Sequence, residues 1–149
     1  MELIDNYLSK PLFDELKLSF SSAQCQWYWD EESGTYTHRI YFDNSPTSDM
    51  FQTLDQIFKR RLNAKSWVHM KIQAYNAGQI PPSMELDGKY TCFFYFDTND
   101  GVTSVTTEEG HESIDMVENR VVEVETDEYT HTTYDSGPSR TLLLTLSYF

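Results

Sequence analysis

Four side chains in the C-terminal half have the chemistry to hold a metal ion or an anion. Glu85 and Asp87 flank a leucine, His131 lies between threonines, and Arg140 follows nine residues later. Carboxylates and imidazole bind divalent cations, and a guanidinium meets a carboxylate with two parallel hydrogen bonds. Two carboxylates with a single imidazole are poor in nitrogen, so such a site would select Fe(II) weakly against Mg(II) or Mn(II). Each residue also has a plain structural reading. Glu85 reads as a solvated loop acid and Asp87 as a turn aspartate before Gly88. His131 reads as a strand histidine and Arg140 as a salt-bridge partner in an acidic region. No Ser-His-Asp order, glycine-rich phosphate loop or zinc spacing accompanies them. His38 and His69 read as ordinary sheet residues, and His111, after Gly110, as an exposed turn residue.

These residues need elements to position them. Ser9-Lys-Pro11 signals a helix start, with a hydroxyl to cap it and proline in the first turn; Leu12, Phe13, Leu16 and Phe20 follow at helical spacing. A second helix is expected over 49–62, where Met50, Phe51, Leu54, Ile57, Phe58 and Leu62 draw one apolar stripe. Lys59-Arg-Arg61 puts positive charge at its C-terminal end. Strands are expected over 24–30, 36–43 and 67–75, the first two as a hairpin around Glu31-Glu-Ser-Gly34. Gly78, Pro81, Pro82 and Gly88 mark a loop over 76–88 that contains the Glu-Leu-Asp triplet. Beyond it, strands are expected near 89–97, 102–107, 113–117, 119–126, 128–133 and 139–148. Short strands separated by such turns indicate an antiparallel sandwich or barrel, with the helices lying mostly in the N-terminal part.

A chain of 149 residues is expected to form one domain. Its 24 acids against 11 bases give a formal charge of −13, which repels phosphate backbones and argues against a nucleic-acid groove. Aromatics at 15% favour a folded, strand-rich protein. Cys25 and Cys92 lie in aromatic surroundings and read as buried free thiols. The N-terminus has no basic flank or long apolar run, so no signal peptide is expected, and no stretch is apolar enough to span a bilayer. A reduced intracellular compartment follows as the expectation.

The run Tyr95-Phe-Asp-Thr-Asn-Asp-Gly-Val-Thr103, then Val117-Glu-Asn-Arg-Val-Val122, His131, Arg140 and the terminal Leu146-Ser-Tyr-Phe149 resemble the small 2-oxoglutarate/Fe(II) dioxygenase-like proteins of bacteriophages, especially cyanophages. Asn63-Ala-Lys65 and Lys71-Ile-Gln-Ala74 look like counterparts upstream. The resemblance implies a mainly β fold with flanking helices: a double-stranded β-helix, or jelly-roll. One such domain would cover 1–149, with helices and support strands over 1–76 and core strands over 77–149. In that family a His-x-Asp and a distal histidine hold Fe(II), and an arginine on the last strand pairs with 2-oxoglutarate. Carried over, His131 matches the distal ligand, Arg140 the 2-oxoglutarate anchor and Asp87 the carboxylate ligand. Glu85 then falls where the first histidine belongs. A slip of one residue would put Met84 and Leu86 there instead, which suits iron less.

The incomplete motif leads to the expectation of a jelly-roll that has lost catalysis, carries no cofactor and works through protein partners. Those partners would be other virion proteins or further copies of itself, meeting it through aromatic sheet faces or Trp27-Tyr-Trp29. It would then be found in the infected host's cytoplasm or in the virion, as an accessory of capsid, neck or tail, with no nucleic acid and no membrane bound. The alternative is an active dioxygenase with Fe(II) and 2-oxoglutarate, acting on a protein or small molecule. A third reading is an acidic decoy for a host nucleic-acid enzyme.

Overall fold

The computed structural model describes residues 1–22, 25–75, 84–85, 88–127, 131–135 and 141–149, with backbone alone at 84–85 and 131–135. In chain order the elements are β1 (Glu2–Ile4), α1 (Lys10–Ser21), β2 (Tyr28–Asp30), β3 (Thr35–Phe42), β4 (Ser45–Pro46), α2 (Met50–Phe58) and β5 (Trp67–Tyr75). They continue as β6 (Met84–Glu85), β7 (Tyr90–Tyr95), β8 (Val102–Thr107), β9 (Gly110–Asp115), β10 (Val121–Glu125), β11 (His131–Asp135) and β12 (Thr141–Tyr148). Two antiparallel sheets result. The larger runs β1-β10-β7-β12-β5-β3-β2, with β4 on β3, and the smaller runs β6-β11-β8-β9. This is the jelly-roll expected from the sequence. Strand β5 lies between β12 and β3, so the first half of the chain supplies a central strand of the larger sheet.

Alternation along the strands gives the larger sheet two apolar faces. Ile72, Phe94, Leu144 and Leu146 face α1 and α2, joining Phe13, Leu16 and Phe20 of α1 with Leu54, Ile57 and Phe58 of α2. Tyr75, Phe93, Tyr95, Val122, Val124 and Leu143 face the other way and meet Val105 and Ile114 of the smaller sheet. Burial on both faces explains why β7 and β12 read as near-continuous apolar runs rather than as alternating ones.

Several boundaries differ from expectation, each for a physical reason. Helix α2 ends in regular form at Phe58, and hydrogen bonds from Leu62 N to Phe58 O and from Ala64 N to Lys59 O continue the winding as turns. Asn63, at φ 53°, then stops it in the left-handed conformation that asparagine tolerates. Ser9 accepts from Phe13 N through its carbonyl, but its hydroxyl makes no cap bond. The first expected hairpin strand shortens to Tyr28–Asp30. The expected strand over 119–126 starts only at Val121, because Asn119, at φ 59°, turns the chain. His111 lies on β9, exposed, rather than in a turn. Strand β6 falls inside the expected loop and exists through its pairing with β11.

Gly88 is at φ +83°, and a Cβ there would lie 3.0 Å from Tyr148 O and 3.1 Å from Tyr148 N. Lys89 N donates to that same carbonyl at 3.0 Å, so the backbone of β12 cannot move aside freely. Gly88→Ala is expected to cost about 1–3 kcal/mol, from a left-handed alanine and a main-chain clash. A urea titration with an unchanged midpoint would contradict this.

Candidate functional site

The inward face of β12 presents Thr141, Leu143, Thr145 and Ser147. Register sets them opposite Tyr75, Gln73, Lys71 and His69 of β5. On the other side Leu143, Thr145 and Ser147 meet Tyr95, Phe93 and Thr91 of β7. The polar groups here mostly satisfy one another, as buried hydroxyls and amides must. Tyr75 OH donates to Gln73 Oε1 at 3.0 Å, and Gln73 Nε2 donates to Thr35 Oγ1 at 3.1 Å. Tyr95 OH donates to Thr103 Oγ1 at 2.7 Å, and Asn99 Nδ2 donates to Thr141 Oγ1 at 2.5 Å. Ser147 Oγ lies 3.0 Å from Thr91 Oγ1 and 3.2 Å from His69 Nε2. The Thr145 hydroxyl is buried and finds no hydrogen-bond partner among the described residues. Sequence reading gave His69 no role beyond its strand. Its link to Ser147 depends on two strands far apart in the chain, which no local pattern signals.

Of the four residues singled out from sequence, Asp87 and Arg140 lie outside the described residues. Glu85 and His131 fall on β6 and β11 and are direct register partners. The next partner of His131 is Thr106 on β8, and that of Thr106 is His111 on β9. Directly opposed residues of antiparallel strands share a face. In this row Thr106 Oγ1 and His111 Nδ1 lie 3.1 Å apart on the exposed side of the smaller sheet. The adjoining row is Met84, Thr132 and Val105, and Val105 is buried between the sheets. Among the described residues, no group of three or more His, Cys, Asp or Glu side chains comes together to hold a metal.

At one end of the sandwich is a pocket of about 520 Å³, lined by Val105 and Val124, the turn Thr107–Gly110, and the acids Glu112, Glu125 and Asp127. Glu108 N donates weakly to Asp127 Oδ2 at 3.4 Å. The helix side of the larger sheet carries the strongest proton-affinity changes. Burial pushes the Cys92 thiol up, with Glu123 adding to it. Burial, followed by the hydrogen bond to Glu123, pushes the Tyr148 phenol up. Cys92 is thus held as a neutral thiol with little nucleophilic character. Cys25 is only half-buried, short of the burial expected for it.

No protein-family model matches the chain, and no curated protein matches its sequence. Solved structures do match it. A Pseudomonas putida prolyl-4-hydroxylase is 12% identical, with a TM-score of 0.72 over 99% of this chain and 92% of that one. An oxidoreductase of the 2OG-Fe(II) oxygenase family from Burkholderia pseudomallei is 10% identical, with a TM-score of 0.76 over 98% of this chain and 82% of that one. The collagen prolyl hydroxylase of Paramecium bursaria Chlorella virus-1, solved as a 2OG complex, is 12% identical; its TM-score is 0.66 over 97% of this chain and 93% of that one. At such identities the likeness is one of fold. This chain has the jelly-roll fold of 2OG-Fe(II) oxygenases.

Proposed function

We propose that this chain is an oxygenase-type jelly-roll that has lost catalysis and acts through protein contacts, as an accessory or assembly component of a virus particle. The observation that carries the reading is the incomplete motif: Glu85 stands where the resemblance puts the first histidine ligand. Two carboxylates with one imidazole lack the nitrogen that selects Fe(II). The virion part rests on the resemblance to phage proteins, and a jelly-roll can serve unrelated tasks.

One observation favours a second reading, an Fe(II)/2-oxoglutarate dioxygenase. Glu85 and His131 are register partners, adjacent across two strands. Anaerobic calorimetric titration with Fe(II) and Mn(II), with and without 2-oxoglutarate, separates the two. The non-catalytic reading expects no binding heat up to millimolar metal. A single micromolar site, tightened by 2-oxoglutarate and abolished in His131→Ala, would overturn it and make Glu85, Asp87 and Arg140 working residues. Absence of the chain from purified particles would remove the virion role.

A further inference from the structure

The larger sheet ends at β2, and among the described residues that strand pairs only with β3, in the register Tyr28↔Thr37, Trp29↔Tyr36 and Asp30↔Thr35. Its outer edge therefore offers main-chain donors and acceptors to a further strand. Of the three aromatic residues Trp27, Tyr28 and Trp29, the first packs against the core, but Tyr28 is 63% and Trp29 53% exposed. Trp29 and Tyr36 meet edge to face at 5.2 Å, which fixes both rings in place while leaving them exposed. Beside the edge lies a pocket of about 400 Å³ with Tyr28, Trp29, Asp30, Glu31, His38 and Arg39 among its walls. His38 is held there between Gln26 O and Ser48 Oγ, each at 2.7 Å, so that wall is fixed.

We propose that this edge binds an extended, basic segment of a partner protein, which adds as a strand to β2 and sets an apolar or aromatic side chain into the pocket. The claim deepens the reading of the chain as a contact protein and rests on it. Each part of the site has a part in the recognition. The strand edge supplies main-chain hydrogen bonds, and the pocket selects a side chain. Exposed Trp and Tyr are the residue types that dominate interface energetics. The sign of the partner's charge follows from the hairpin turn, where Asp30, Glu31 and Glu32 follow one another at the end of the edge. A second copy of the chain would bring the same three acids and a further formal charge of −13 to the contact. Repulsion of that kind discourages self-pairing at an open edge and favours a basic partner.

The test is selection of a displayed random dodecapeptide library on the full chain, followed by titration of synthetic versions of the enriched peptides. Enriched peptides should carry Lys or Arg beside an aromatic or large apolar residue. Their affinity should fall at least about tenfold in Trp29→Ala, as for an interface anchor, and also in the charge reversal Glu31→Lys. N-methylation of alternate peptide bonds in the ligand should abolish binding, which adhesion through side chains alone would survive. Both substitutions are at exposed or rim positions, so folding is retained and is checked by circular dichroism. Three outcomes would overturn the proposal: no enrichment, enriched peptides indifferent to Trp29→Ala, or a dimer in sedimentation that Trp29→Ala dissociates. A positive metal titration with a failed selection would sink both this claim and the non-catalytic reading. A failed selection with no metal binding would remove this surface alone.

Discussion

Phe94→Ala is expected to destabilise the fold by about 3–5 kcal/mol, the range for truncating a fully buried aromatic ring. Phe94 is 0% exposed. Its ring centre lies 5.5 Å from that of Phe58 on α2 and 6.0 Å from that of Phe13 on α1. It lies 5.1 Å from Phe96 and 6.5 Å from Tyr7. One side chain therefore joins both helices and the N-terminal arm to the larger sheet, and rigid rings on all sides leave little room for the cavity to collapse. For a chain of this size the melting temperature should fall by roughly 6–20 °C. Leu18, which is 70% exposed on α1, is the control. Its change to Ala should stay within about 0.5 kcal/mol. Equal melting temperatures for the Phe94 and Leu18 variants would contradict this account of the core.

Asn119→Ala should have the next largest effect, about 3 kcal/mol, from two lost hydrogen bonds and a strained backbone. Asn119 Oδ1 accepts from Leu8 N at 2.9 Å, and its Nδ2 donates to Leu8 O at 2.8 Å. Its own carbonyl accepts from Tyr7 N at 3.0 Å. Leu8 is 2% exposed, so water cannot replace the missing partners cheaply. Alanine also has to adopt φ 59°. Asn119→Gly relieves the backbone but not the two bonds, so it should recover about 1 kcal/mol of the loss. Nearby, Arg120 pairs with Asp5 through two hydrogen bonds, at 2.6 and 3.1 Å, and that hydrogen bonding holds the Asp5 carboxyl below its ordinary range. Both contacts anchor the arm that carries β1. Hydrogen exchange at the Leu8 amide should accelerate in Asn119→Ala by far more than at Leu144, in the centre of β12. Equal acceleration at the two sites would mean that the arm is not held by this side chain.

The sequence announces the elements that carry long periodic patterns. Leu54, Ile57 and Phe58 mark α2 at helical spacing, and alternation marks β5, because in both cases neighbours in the chain are neighbours on one face. It does not announce β6. A two-residue strand has no period of its own and exists through its bond to β11. Nor is β1 legible, since all three of its residues are exposed and only pairing with β10 makes it a strand. Asn63 and Asn119 look like ordinary polar residues in a sequence. Their left-handed conformations become evident only when Ala64 and Leu8 are seen to depend on them.

The candidate site divides along the same line. By itself the sequence determined the chemistry available: a Glu-Leu-Asp triplet, one histidine, one arginine nine residues on, and a large negative charge. It also determined the fold class, through strand lengths, turn residues and resemblance. Only the tertiary structure decided which positions lie side by side. A strand has a side-chain period of two and no pattern that names its partner, so register is set by pairing rather than by local sequence. Pairing between segments far apart in the chain put Glu85 of β6 opposite His131 of β11, and His131 opposite Thr106 of β8.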